Sequence, residues 1–188
     1  TFSDDQLLDF ATRDPQQGAF DWLLDDGDGV KTVYLRVMDL AGNAKDVSSS
    51  LILDTESPSG SMTILGGDPT SSSTADIRFS VSADSKFIKL ANNTAPDCSS
   101  ATGYYDFPAN SLIDDWDLGV ATAGDVTVYA CVRDRAANSV LLSDIVHVDK
   151  IPPSGSVVIY GNDPTNNPTV TLVITASNDV EQMAIANG

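Results

Sequence analysis

Thr32-Val33-Tyr34-Leu35-Arg36-Val37-Met38-Asp39 returns 95 residues later as Thr127-Val128-Tyr129-Ala130-Cys131-Val132-Arg133-Asp134. Every second position is apolar: Val33, Leu35 and Val37 in the first copy, Val128, Ala130 and Val132 in the second. That is the pattern of a strand with one face turned inward. Tyr34, Arg36 and Met38, and then Tyr129, Cys131 and Arg133, fall on the phase expected to face outward. The same offset carries Ser59-Gly60-Ser61 onto Ser154-Gly155-Ser156, Asp68-Pro69-Thr70 onto Asp163-Pro164-Thr165, and Ala91-Asn92 onto Ala186-Asn187. A long repeat built from strand-like segments indicates tandem β-domains rather than an enzyme.

Each copy of the strand runs into a turn, Asp39-Leu40-Ala41-Gly42-Asn43 and Asp134-Arg135-Ala136-Ala137-Asn138. Asp and Asn at turns hydrogen-bond nearby backbone groups, and Gly42 can take a positive φ. Ala137 stands where the first copy has Gly42, which predicts a turn of different shape in the second copy. The next strand carries Leu51 and Leu53, or Val146 and Val148, and ends at a Pro-bearing segment: Asp54-Thr55-Glu56-Ser57-Pro58 or Asp149-Lys150-Ile151-Pro152-Pro153. Proline removes a ladder donor and stiffens φ, so these segments read as domain boundaries. A new domain then opens with Met62 and Ile64, matched by Val157 and Ile159. Its second strand holds Ile77, Phe79 and Val81, echoed by Leu172, Ile174 and Ala176, and a third strand follows at Phe87 to Ala91 and Val180 to Ala186. Asn93 to Asp115 is a less regular stretch leading to Trp116, and Thr1 to Asp21 fills the same slot before Trp22. Helical phase is weak everywhere, with Asp4 to Ala11 long enough for a turn or two. The unit from about Ser59 to Pro153 holds roughly seven strands, the count of a β-sandwich.

The chain has 188 residues, with 27 acidic against 10 basic and a formal charge of −17. That balance argues against nucleic acid and anionic membranes as partners. No apolar run approaches the ~18–20 residues that cross a bilayer, so membrane insertion is not expected. Cys98 and Cys131 are the only cysteines, a pair that fits one disulfide in an oxidising compartment. It would staple the middle loop onto the sheet, and closing about 33 residues is worth on the order of 3–4 kcal/mol in the chain-entropy model.

The run Gly29-Val30-Lys31-Thr32-Val33-Tyr34-Leu35-Arg36-Val37-Met38-Asp39-Leu40-Ala41-Gly42-Asn43 resembles the Ig-like repeats of large bacterial surface and secreted proteins. Those repeats carry a G-x-K-x-V-Y-x-x-x-x-D-x-A-G-N strand and turn, then L-D-T-x-x-P at the junction, here Leu53-Asp54-Thr55-Glu56-Ser57-Pro58. The family's M-x-I-S-N strand end is echoed by Met183-Ala184-Ile185-Ala186-Asn187. The resemblance covers most of the chain and implies an extracellular or cell-surface spacer, stalk or adhesive module. The second copy departs from the pattern at Ala137 and Lys150 and adds Cys131.

Candidate chemistry is sparse. His147 is the only histidine, on the outward phase of the last strand with no partner evident in the sequence, so a hydrolytic triad is unsupported. Asp25-Asp26-Gly27-Asp28-Gly29 has part of the composition of a calcium loop but lacks its 12-residue spacing and closing Glu, and reads as an acidic hairpin turn. Calcium at a domain junction, where Asp54 or Asp149 ends a strand, is the one cofactor expectation, and the metal ligands are unknown. Asp114 and Asp115 are a carboxylate pair expected by chance in so acidic a chain. Trp22 and Trp116 are expected in the core. The alternative is an exposed aromatic platform for glycans built on these tryptophans, helped by Tyr104, Tyr105 and Phe107. Asn92-Asn93-Thr94 fits a glycosylation sequon at Asn92.

The expected fold is therefore all-β: immunoglobulin-like β-sandwiches in tandem, with one complete domain and one split into complementary halves. Residues 59–153 form the complete domain, 1–58 the back part of another, and 154–188 the front part. From Asn92 to Trp116 is 24 residues, and from Asn187 through Gly188 and on from Thr1 to Trp22 is 23, so joined halves restore the register. The expected function is a non-enzymatic extracellular filament, stalk or surface array. It would be built head to tail by covalent repetition or by strand complementation between copies. An adhesin or carbohydrate-binding accessory module is the other reading.

Overall fold

The computed structural model describes residues 21–187. The Asp4–Ala11 stretch, the apolar residues Phe2, Leu7, Leu8 and Phe10, and the Gly188–Thr1 join lie outside the described residues.

Everything described is strand, turn or loop. In chain order the strands are β1 (Gly29–Met38), β2 (Ala44–Leu53), β3 (Gly60–Ile64), β4 (Thr74–Val81), β5 (Phe87–Asn92), β6 (Tyr105–Asp106), β7 (Leu112–Asp117), β8 (Ala123–Arg133), β9 (Ser139–Asp149), β10 (Gly155–Tyr160) and β11 (Thr171–Ala176). Strands β3 to β9 make two antiparallel sheets, β3-β4-β7 and β6-β5-β8-β9. This is an Ig-like sandwich whose fourth strand has joined the sheet of its third, sixth and seventh. The core lies between the sheets: Met62, Ile77 and Phe79 from one side, Ile88, Val126, Val128, Ala130, Val132, Val146 and Val148 from the other. These are the positions that the alternation along each strand marks as inward. The sheets are also joined through backbone. Asp68-Pro69-Thr70 crosses to β9, where Thr70 N–H donates to the His147 carbonyl (2.9 Å), Asp149 N–H to the Thr70 carbonyl (2.8 Å), and His147 N–H to Asp68 Oδ1 (2.8 Å). The recurrence of Asp-Pro-Thr thus has a structural reason.

The recurrence of Ser-Gly-Ser has one too. Gly60 has a φ of +145°, and a Cβ there would stand 2.2 Å from the Ser80 carbonyl oxygen. Only glycine lets β3 begin this close to β4.

Two further hairpins flank the sandwich, β1-β2 and β10-β11. Their registers repeat those of the complete domain. Val33 pairs with Ser49 as Val128 pairs with Asp144, and Val157 pairs with Ile174 as Met62 pairs with Phe79.

One expectation needs correction. The two Asp-to-Asn turns have the same shape, because Ala137 adopts φ +77° where Gly42 has +88°. The Asp and Asn side chains impose that shape. Asn138 N–H donates to Asp134 Oδ1 (2.9 Å) and its amide to Oδ2 (2.9 Å), as Asn43 does to Asp39 at 2.8 and 2.8 Å. Since the left-handed region costs a non-glycine residue roughly 1–2 kcal/mol, Ala137→Gly is expected to stabilise the domain by about 0.5–1 kcal/mol in urea unfolding. Cys131 stands on the outer face of β8 but has 0% exposure, since the Asn93–Gly103 loop is folded over it. Trp116 lies within β7, half-buried against the core as expected.

Candidate functional site

The middle loop is held by its own chemistry. Cys98 and Cys131 form a disulfide. Lys89 Nζ donates to the carbonyls of Asp97 (2.7 Å), Thr102 (3.2 Å) and Ser100 (3.3 Å). The Tyr104 hydroxyl donates to the Cys98 carbonyl (2.9 Å). The Tyr104 ring is covered by Lys89 Nζ at 4.5 Å and by the Arg133 guanidinium at 4.2 Å. Burial pushes its phenol above the ordinary value, against the opposing effect of Arg133.

This arrangement leaves little of the aromatic platform. The Tyr104 ring is taken by two cations. Phe107 packs edge-on against Phe79 with ring centroids 5.6 Å apart. Trp116 is half-buried, and its indole N–H donates to Asn92 Oδ1 (2.7 Å). Tyr105 is exposed, and so is Trp22, contrary to its expected place in the core. Asn92 is equally committed: its Nδ2, the atom that a glycan would occupy, donates to the Asp117 carbonyl (2.8 Å). A buried Trp N–H needs an acceptor, and Asn92 supplies it across 24 residues of sequence.

His147 does have a partner, contrary to the reading of the sequence. Its Nδ1 lies 2.6 Å from Asp125 Oδ1 on the adjacent strand. The pair is solvent-exposed on the outer sheet face. The hydrogen bond to Asp125 raises the His147 pKa above its ordinary 6.5, with smaller contributions from Asp149 and Asp68. A raised pKa means that the stabilisation is present below the ordinary value and is lost as pH rises through the raised one. An NMR titration is expected to place the His147 midpoint above 6.5 and to move it downward in Asp125→Asn.

The junction carboxylates and Asp28 already accept hydrogen bonds. Asp28 Oδ1 accepts from Thr55 N–H (3.1 Å) and its hydroxyl (2.8 Å), Asp54 Oδ1 from Glu56 N–H (3.3 Å), and Asp149 Oδ1 from Ile151 N–H (2.9 Å). No three His, Cys, Asp or Glu side chains among the described residues are gathered as a metal site. Two concavities, at Ser154–Ser156 with Thr175–Ser177 and at Asp149–Pro153 with Ser71 and Asp179, are open surface depressions.

The informative surface is apolar. Val157, Ile159, Leu172 and Ile174 on β10 and β11 are 60, 65, 36 and 38% exposed. Their equivalents in the complete domain are Met62, Ile64, Ile77 and Phe79, and of these Ile77 has 0% and Phe79 4% exposure. On the other hairpin, Leu35, Val37 and Leu51 are 52, 47 and 51% exposed. Their equivalents Ala130, Val132 and Val146 are at 0, 0 and 2%. Among the described residues, each hairpin therefore presents one face of a sandwich core with no second sheet over it.

A polar feature accompanies each face. In the complete domain the Asn138 amide, besides bonding Asp134, donates to the Asp54 carbonyl of the preceding linker (3.0 Å). Asp134 beside it is 1% exposed, a buried carboxylate satisfied by Asn138. The turn is thus a clamp on the linker. Asn43 stands in the same geometry over Asp39, whose pKa is lowered chiefly by the Asn43 amide.

No protein-family model matches the chain, and no curated protein matches it. Among solved structures it is similar to a tetra-tandem repeat in the extending region of a large adhesion protein. The identity is 18% and the TM-score 0.37, over 80% of this chain and 45% of that one. The chain spans less than half the length of that protein's chain.

Proposed function

We propose that this chain is a structural repeat module of an extracellular filament, stalk or surface array. In this reading β10-β11 and β1-β2 are the front and back halves of one Ig-like domain, brought together head to tail. The observation that carries it is the exposure of Leu172, Ile174, Leu35 and Val37 at positions whose equivalents are buried in the complete domain. A side chain of this size gains about 1.5–3 kcal/mol on full burial, so several together give a strong drive to be covered. The disulfide fits an oxidising, extracellular setting. The net charge of −17 keeps the rest of the surface soluble and self-repelling, which confines association to the apolar faces.

Head-to-tail contacts that do not close generate filaments. The two hairpins leave the sandwich at opposite ends of β9: Asp54 is held beside Asn138 at the start of that strand, and Asp149 ends it. Eleven strand residues span about 35 Å, so a hairpin at one end faces away from its complement at the other.

Sedimentation velocity over a concentration series, with negative-stain electron microscopy, tests the reading. Growth into end-to-end chains is expected. A monodisperse monomer up to about 100 μM would overturn it.

A further inference from the structure

In the complete domain β8 is flanked on both sides, by β9 and by β5. Its equivalent β1 has only β2 beside it among the described residues. The segment at the β5 position in the repeat, Gln182–Asn187, belongs to no sheet. Met183 and Ile185 are 64 and 61% exposed, whereas Ile88, the equivalent of Met183, is at 0% and Leu90, the equivalent of Ile185, packs on the core.

We propose that Gln182–Asn187 adds as an antiparallel strand to β1 of a second copy of this chain, in one defined register. The pairing Ile88↔Val132, Leu90↔Ala130 and Asn92↔Val128 transfers to Met183 opposite Val37, Ile185 opposite Leu35, and Asn187 opposite Val33. This rests on the assembly reading above and specifies its ladder.

Three polar contacts of the complete domain have their chemistry preserved on the two surfaces, which is why the occupant is a second copy. Asn92 accepts the Trp116 indole N–H; Asn187 stands in the place of Asn92, and Trp22 (52% exposed) lies one residue from the place of Trp116. Asp68 and Thr70 bond the backbone of β9 at His147 and Asp149, and in the paired copies Asp163 and Thr165 would meet the corresponding backbone at Ile52 and Asp54. Finally, Asn138 clamps the Asp54 carbonyl, and Asn43 is placed to clamp the Asp149 carbonyl of the copy before it. An apolar face alone would accept many partners. An apolar face with matching indole acceptor, strand-edge loop and linker clamp selects the complementary face of the same chain.

Disulfide trapping between full-length variants tests the register. Ile185→Cys mixed with Leu35→Cys and mildly oxidised is expected to give a linked dimer at least tenfold faster than Ile185→Cys mixed with Val37→Cys. Directly opposed Cβ atoms lie about 4.5–5.5 Å apart and diagonal ones roughly 7–8 Å, beyond disulfide reach. Met183→Cys with Val37→Cys reports the same register from a second pair, and guards against a variant that fails to fold. Equal trapping of matched and mismatched pairs, or none, in chains that still associate by sedimentation would overturn the register and leave the assembly reading intact. Loss of association in the parent chain would overturn both.

Discussion

Leu172→Asp is expected to abolish self-association while the complete domain melts as before. Leu172 is 36% exposed on its hairpin, so the free chain gives up little when a carboxylate replaces it. In the completed domain that we propose, it would take the place of Ile77, which has 0% exposure among Met62, Phe79 and Val128. There the substitution removes a buried aliphatic side chain and desolvates a charge without a partner. The combined cost is about 3 kcal/mol or more, at least a hundredfold in the association constant. Leu172→Met keeps volume and polarity and is expected to associate within about tenfold of the parent. Association by Leu172→Asp at the parent's midpoint concentration would show that this face is not the one covered.

The second large effect concerns the complete domain alone. Removing the Cys98–Cys131 bridge, by reduction or by replacing both residues with alanine, is expected to lower unfolding free energy by about 3–4 kcal/mol. The bridge closes a separation of 33 residues and ties the middle loop to the outer face of β8. The loop is not thereby released. Lys89 still gathers three of its carbonyls, and Tyr104 still lies against Lys89 and Arg133. The chain should accordingly stay folded, with the sandwich core unchanged and the urea midpoint displaced downward. A change below about 1 kcal/mol would mean that the lysine hub, not the covalent bond, fixes the loop.

Much of the fold was legible because alternation reports which side chains face the core. Ile77, Phe79, Val128, Val132, Val146 and Val148 all sit where their strand phase puts them. The registers of the flanking hairpins follow from the repeat for the same reason. Contacts that join distant residues through polar atoms were not legible. Asn92 read as a glycosylation acceptor because its bonds to Trp116 and Asp117 depend on the third dimension. The clamp of Asn138 on Asp54 joins residues 84 apart and leaves no periodic trace. His147 and Asp125 are separated by 22 residues and become neighbours only through the β8-β9 register. Ala137 misled because glycine preference is a statement about an unconstrained turn, whereas here the Asp134 carboxylate and Asn138 impose the left-handed conformation. The aromatic loop misled in a different way, since composition does not reveal that cations already cover the Tyr104 ring.

Amide hydrogen exchange of the full chain, read at dilute and concentrated extremes, tests the central claim most directly. Assembly through the split domain predicts that β1, β10, β11 and residues 182–187 exchange quickly when dilute and become strongly protected when concentrated, while β8 and β9 are protected throughout. Protection of those segments that is the same at every concentration would contradict it.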